Sequence, residues 1–192
     1  MENLPAAPVT GPVTDAERTY IIATLQTTQQ LLHETVDGLT DAQLTFKPNA
    51  DRWSIAECVE HIVLVERSIF RAIQHGISQA AEPEKRSEIK ISDVDLVKAT
   101  RGRTRRLAAQ SHFVPTGKYG DTAATMALFD QVRATDIDFA KTTDSDLRTH
   151  YFDHFVVGRL DLYQALLLIA SHGERHRKQI NDVIATPGYP QS

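Results

Sequence analysis

A single cysteine, Cys58, occurs in the 192-residue chain, so no disulfide can form within it and the fold must rest on packing alone. No apolar run approaches the roughly 18 residues that mark a membrane-spanning helix. The N-terminus has no basic flank leading into an apolar core, which excludes a secretory signal of the usual kind. The expectation is a cytoplasmic protein with no membrane partner. A dominant charge is missing too. With 21 Lys+Arg against 25 Asp+Glu the net charge is -4, which supplies no basic field of the sort that draws nucleic acid or an anionic surface. Strict apolar–polar alternation nowhere persists, between hairpin turns, long enough to demand a β-sheet.

What the chain does have is helical periodicity. A hydrophobic content of 41% over this length suffices for one sizeable core, hence one domain. Residues 1–13, with Pro5, Pro8, Gly11 and Pro12, read as a flexible arm. Thr14 and Glu17 form a capping box before Ile21, Ile22, Leu25, Leu32 and Val36, and Gly38 supplies a stop. A short turn is expected at Thr40–Gln43. Ser54 and Glu57 open a second helix over Ile55–Gln74, with Gly76 as its stop. Residues 77–91 read as a solvated connection. Ser92 and Asp95 cap a weakly amphipathic third segment reaching Ala109. After a loop at His112–Gly120, Asp121 or Thr122 starts a helix carrying Met126, Phe129, Val132 and Phe139. An irregular crossover over 142–160 precedes the last helix, which is opened by Asp161 and Gln164 and ends near Pro187-Gly188. The expected fold is all-α: a four-helix bundle over residues 14–186 with an irregular crossover before the last long helix, then a tail at 187–192.

The last helix is the most informative. Its buried stripe of Leu162, Ala165, Leu166, Ile169, Ile180, Val183 and Ile184 includes His172 and His176 where leucines are expected. Residues four apart lie one turn above each other, so both rings can reach one point. Such a pair either ligates a metal or hydrogen-bonds within the core. His61, on the second helix, is the natural third ligand, because bundle packing can set its face opposite the pair. Three imidazoles suit Zn, Ni or Fe and leave one coordination position for water or substrate. Such a centre would serve a small-molecule substrate, by Lewis-acid activation of water or of a thiol.

Other residues divide between chemistry and structure. Glu57, one turn before His61, either receives the second imidazole proton or only caps its helix. His154 in the crossover either binds substrate or is simply exposed. Glu174 is set between the two histidines but does not complete a His-Glu-x-x-His motif, and its side chain should point away from them. Cys58 fits the core, with metal ligation its alternative, and Trp53 reads as an anchor at the start of the second helix, with a substrate-facing role its alternative. The basic run Lys98–Arg106 lacks interleaved aromatics and reads as a solvated helix face.

Two stretches together resemble the DinB-like superfamily: Trp53-Ser54-Ile55-Ala56-Glu57-Cys58-Val59-Glu60-His61, and His154-Phe155-Val156-Val157-Gly158-Arg159-Leu160 leading to His172-Gly173-Glu174-Arg175-His176-Arg177-Lys178-Gln179-Ile180. The resemblance implies an up-down-down-up four-helix bundle, a divalent metal on His61, His172 and His176, and frequent homodimers. Characterised members of that superfamily include thiol S-transferases that use low-molecular-weight thiols and a mycothiol-dependent isomerase, while others are described as metal-dependent hydrolases. The resemblance therefore implies a metal-dependent enzyme that transfers a small thiol to an electrophile or hydrolyses a small substrate. The competing class is a non-catalytic metal-binding or dimerising bundle. The chain departs from a common His-Pro pairing by placing Phe155 after His154, so a role that needs a rigid loop there is not implied.

Overall fold

Helices begin where a side chain accepts their first free amides. Reciprocal capping boxes at Thr14/Glu17, Thr40/Gln43, Ser54/Glu57 and Asp161/Gln164 open α1 (Asp15–Val36), α2 (Asp41–Thr45), α3 (Ile55–Ile77) and α6 (Leu162–Ile184). Ser92 and Asp121 cap α4 (Asp93–Arg101) and α5 (Thr122–Thr142) in the simpler way. The computed structural model describes residues 11–103 and 108–191, so most of the expected N-terminal arm lies outside the described residues. The long helices are α1, α3, α5 and α6.

Their directions follow from individual contacts. The Arg18 guanidinium donates to the Ala140 carbonyl, setting the start of α1 against the end of α5, so these two are antiparallel. The Tyr163 hydroxyl donates to the Glu17 carbonyl, so α1 and α6 start together. Glu66 pairs with Arg133, and Phe70 packs edge-on to Phe139 at 5.6 Å, which makes α3 and α5 parallel. Gly76 near the end of α3 faces Leu162 at the start of α6. The bundle is therefore up-down-down-up, with α6 between α1 and α3, α5 on the opposite side between the same two, and α4 laid on α6.

Several expectations shift in detail. α3 runs through Gly76, which is a point of close approach: a Cβ there would meet Leu162 Cδ2 at 3.0 Å and the Tyr151 carbonyl oxygen at 3.1 Å. α4 stops at Arg101 rather than Ala109, because Gly102 turns extended and the Arg175 side chain bonds the Thr100 and Gly102 carbonyls at its end. Residues 104–106 of the basic run lie outside the described residues. The crossover contains a two-stranded antiparallel hairpin, β1 (Tyr151–His154) and β2 (Gly158–Asp161), with His154 opposite Gly158. Strands of four residues are too short to show alternation in sequence, and Gly158 supplies the positive φ of 78° that the turn needs. The C-terminal residues are packed rather than loose: Tyr189 is buried edge-on to Phe46, and Gln43 donates to the Pro190 carbonyl.

The core has two apolar clusters. One gathers Ile21, Leu25, Ile69, Leu96 and Leu166 near the start of α6; the other gathers Leu32, Ile55, Ile62, Phe129 and Ile180 near its end. A polar layer lies where they meet. Arg133, fully buried, donates to both Glu66 oxygens at 2.7 Å, to the Leu25 carbonyl and to the Thr28 hydroxyl. Asp136 is buried beside them, and burial together with the Glu66 carboxylate pushes its pKa up to about 10. Its folded value exceeds its value of 3.8 in the unfolded chain, so the folded state keeps a proton that the unfolded chain releases. Stability is therefore lost as pH rises through that window. Asp136→Asn, which cannot ionise, is expected to raise the melting temperature near neutral pH, with the gain shrinking towards about pH 4. Thermal melts of both proteins across that range check this; an equal shift at every pH would refute it.

Candidate metal centre

His61 lies on α3 two turns after Trp53, and His172 and His176 lie one turn apart in the middle of α6. Because α3 and α6 are antiparallel neighbours, the three rings converge. Their centroids are 5.1 Å (His61–His172), 4.5 Å (His61–His176) and 4.4 Å (His172–His176) apart. Their nitrogens include one from each ring within 4.8 Å of one another. His61 and His176 are buried, with 5% and 7% exposure, and His172 is half-buried.

The outer nitrogens are committed elsewhere. His61 Nδ1 is 2.7 Å from the Phe113 carbonyl oxygen, which can only accept, so Nδ1 carries the proton and Nε2 is left as a lone pair. His176 Nδ1 lies 3.1 Å from Gln179 Oε1, with the same consequence. His176 Nε2 is then only 3.1 Å from His172 Nε2. Either a proton on His172 or a cation shared by the rings closes that contact, and only a cation also engages His61.

Electrostatics favour neutral ligands. Burial lowers the pKa of His61 below the ordinary imidazole value, partly offset by the Phe113 carbonyl. Burial pushes His172 and His176 well below it, helped by the neighbouring imidazoles and by Arg175. Unprotonated imidazole is the form that binds a metal ion. The donor set therefore fits a divalent ion of the Zn, Ni or Fe type: three imidazoles held in the neutral form, two of them with their outer nitrogens fixed by hydrogen bonds.

The sequence left Glu57 either as the acceptor of the second His61 proton or as a helix cap. The structure places Glu57 in the capping box, accepting from the Ser54 amide at 2.7 Å, and against Lys47 at 2.9 Å. The partner of His61 is the Phe113 carbonyl, and its position depends on Glu60, which went unremarked in the sequence. The buried Glu60 carboxylate accepts the backbone amides of Thr116, Gly117 and Lys118 at 3.1, 2.8 and 3.1 Å. Adjacent residues on α3 thus hold the 113–118 loop at two points, one of them the ring of a candidate ligand. No sequence pattern signals a backbone carbonyl, although a glutamate followed directly by the histidine was visible. Trp53, read as a helix anchor, also packs on the site, 4.6 Å from His61 and 6.1 Å from His176. Cys58 is wholly buried and burial pushes its thiol up to about 12, so it behaves as core.

The triad opens onto a cleft of about 710 Å³. His154, the last residue of β1, lines this cleft with Trp53, Phe113 and His112. The Val156 amide donates to His154 Nδ1 at 3.3 Å, leaving Nε2 to carry the proton of the neutral ring, and burial lowers its pKa. Glu174 points away from the triad into an ion pair with Arg177 at 2.7 Å, as the sequence suggested.

An up-down-down-up bundle with three imidazoles at the head of a cleft defines a histidine-triad helical protein with a site consistent with metal binding. The chain belongs to the DinB superfamily, whose model matches residues 24–180. It is 25% identical over 147 residues to the uncharacterized protein YuaE of Bacillus subtilis, covering 76% of this chain and 86% of that one. Its fold is similar to that of YfiT from Bacillus subtilis, described as a probable metal-dependent hydrolase with an unusual four-helix bundle topology. The TM-score is 0.63 at 16% identity, covering 96% of this chain and 94% of the other.

Proposed function

We propose that His61, His172 and His176 hold one divalent metal ion, and that the protein is a metal-dependent enzyme acting on a small molecule bound in the adjoining cleft. The observation that carries this reading is the convergence of three neutral imidazoles, with no fourth His, Cys, Asp or Glu in the group among the described residues. A tetrahedral ion held this way keeps a position for substrate or solvent, as catalytic rather than structural sites do. When bound, such an ion supplies Lewis acidity, making a nucleophile available near neutral pH from a weakly acidic thiol or water. The chain's own residues do the rest. Phe113 and Gln179 fix the orientation of His61 and His176, Trp53 walls the site against solvent, and His154 offers an Nε2 proton donor to the bound substrate.

Transfer of a low-molecular-weight thiol to an electrophile is the leading reaction, supported by the resemblance to thiol S-transferases. Hydrolysis is the second reading, favoured by the description of YfiT. The reading carries with it a cytoplasmic homodimer that binds no nucleic acid; the charge of -4 supports the last of these. The test is consumption of an aryl halide electrophile by metal-loaded protein with a panel of small thiols. Expected is metal-dependent loss only when thiol is present. Loss of an activated ester without thiol would assign water as the nucleophile, and inactivity in both assays would favour a non-catalytic bundle.

A further inference from the structure

Among the described residues, the exposed large hydrophobics are Val114, Phe155 and Val156, at 41%, 62% and 46%. Two of them form the tip of the β1–β2 hairpin, and both line the cleft that leads to the triad. Exposed apolar groups side by side on a short turn at the rim of a cavity offer an apolar surface that a ligand in that cavity would cover. The wall below them is apolar as well, continuing through Val157, Phe152, Ile69 and Leu168 towards His172.

Three charged residues of the same cleft are engaged within the protein, whereas Asp51 and Arg52, next to Trp53, add an exposed and a half-buried charge on the side of the triad. Arg175 bonds the carbonyls at the end of α4, Arg103 pairs with Asp182 at 2.6 Å, and Asp153 pairs with Arg159 at 3.0 Å. The cleft therefore has a polar end, at the triad and His154, and an apolar end, at the hairpin tip. Its volume of about 710 Å³ lies within the range of roughly 300–1,000 Å³ typical of small-ligand sites and too small for a partner helix with its side chains.

Building on the metal-centre reading, we infer that the substrate is a small molecule with an aryl or alkyl body and a compact polar head: the head lies at the triad and the body lies against Phe155 and Val156. The hairpin tip is then the element that selects substrates. The position where the chain carries Phe155 in place of the common proline is a specificity position rather than a rigid turn.

Calorimetric titration of zinc-loaded protein with two hydroxamates tests this, because both carry the same metal-binding head. Benzohydroxamate adds an aryl body to what acetohydroxamate offers. Expected is a preference of roughly tenfold or more for benzohydroxamate, the size of a phenyl group's partial burial. In Phe155→Ala the ratio of the two affinities should fall by roughly threefold or more. A wild-type ratio near one, or a ratio unchanged in Phe155→Ala and in Val156→Ser, would overturn the assignment of an apolar-bodied substrate while leaving the metal centre in place. Failure of zinc-loaded protein to bind either hydroxamate would overturn the open metal centre and this inference with it.

Discussion

Arg148→Met should destabilise the protein by about 3–5 kcal/mol, the range for removing one partner of a buried ion pair. Arg148 is 1% exposed and holds Glu17 at 2.5 Å, Asp93 at 2.7 Å and Asp161 at 2.9 Å. Burial alone would make its guanidinium easier to deprotonate, but Asp93 and Asp161 outweigh this and keep it charged. Its guanidinium also lies 4.2 Å from the centre of the Tyr163 ring. The carboxylates come from the start of α1, the start of α4 and the N-cap of α6, so a single side chain ties together three helix beginnings. Methionine would leave those carboxylates buried with Thr14 and Gln164 as hydrogen-bond donors and, among the described residues, Arg86 as the remaining cation, opposite Asp161. Against a typical total stability of about 5–15 kcal/mol, a loss of this size is expected to lower the melting temperature by roughly 10 °C, or to leave the chain unfolded at ambient temperature. Urea titration measures it. A change below about 1 kcal/mol would mean that the carboxylates find solvent or protons at little cost.

Zinc added to chelator-stripped protein should raise its melting temperature, and should not do so in His172→Ala or His176→Ala. A ligand that binds only the folded state stabilises it by about 2.7 kcal/mol at a hundredfold excess over its dissociation constant. In a chain of this size that is a rise of roughly 5–10 °C. Each substitution leaves two imidazoles, too few for a catalytic-type site, and removes one of the nitrogens now 3.1 Å apart on α6. Thermal melts with and without zinc give the result directly. An equal rise in the variants would place the ion elsewhere on the molecule.

Much of this was legible in the sequence, and the reason is local. The capping boxes at Thr14, Ser54 and Asp161 mark helix starts through contacts three residues long, and each of them forms, while the short turn read at Thr40–Gln43 proves to be a fourth such start. His172 and His176 declare themselves because polar rings interrupt an apolar stripe of fixed period. His61 joined them through the resemblance and the geometry of packed helices. What stayed hidden depends on contacts distant in sequence. Gly76 looked like a stop because the approach of Leu162, far along the chain, cannot be seen from α3 alone. The end of α4 depends on Arg175, and the orientation of His61 depends on a carbonyl in a loop that Glu60 holds in place. Four-residue strands escaped notice because a pattern of period two needs more length to register. The polar layer of Arg133, Glu66 and Asp136 was invisible for a related reason: each residue lies on a different turn or helix, and only packing makes them neighbours.

The most direct measurement is the metal content of protein purified without a polyhistidine tag, followed by X-ray absorption at the edge of whichever metal is found. Expected is about one Zn, Ni or Fe per chain with imidazole nitrogens at roughly 2.0–2.1 Å in its first shell, as zinc sites of this type show, and loss of that metal in His61→Ala. A protein that takes up no divalent metal even on reconstitution, or one whose metal has a sulfur neighbour that only Cys58 or a methionine could supply, would contradict the histidine-triad centre.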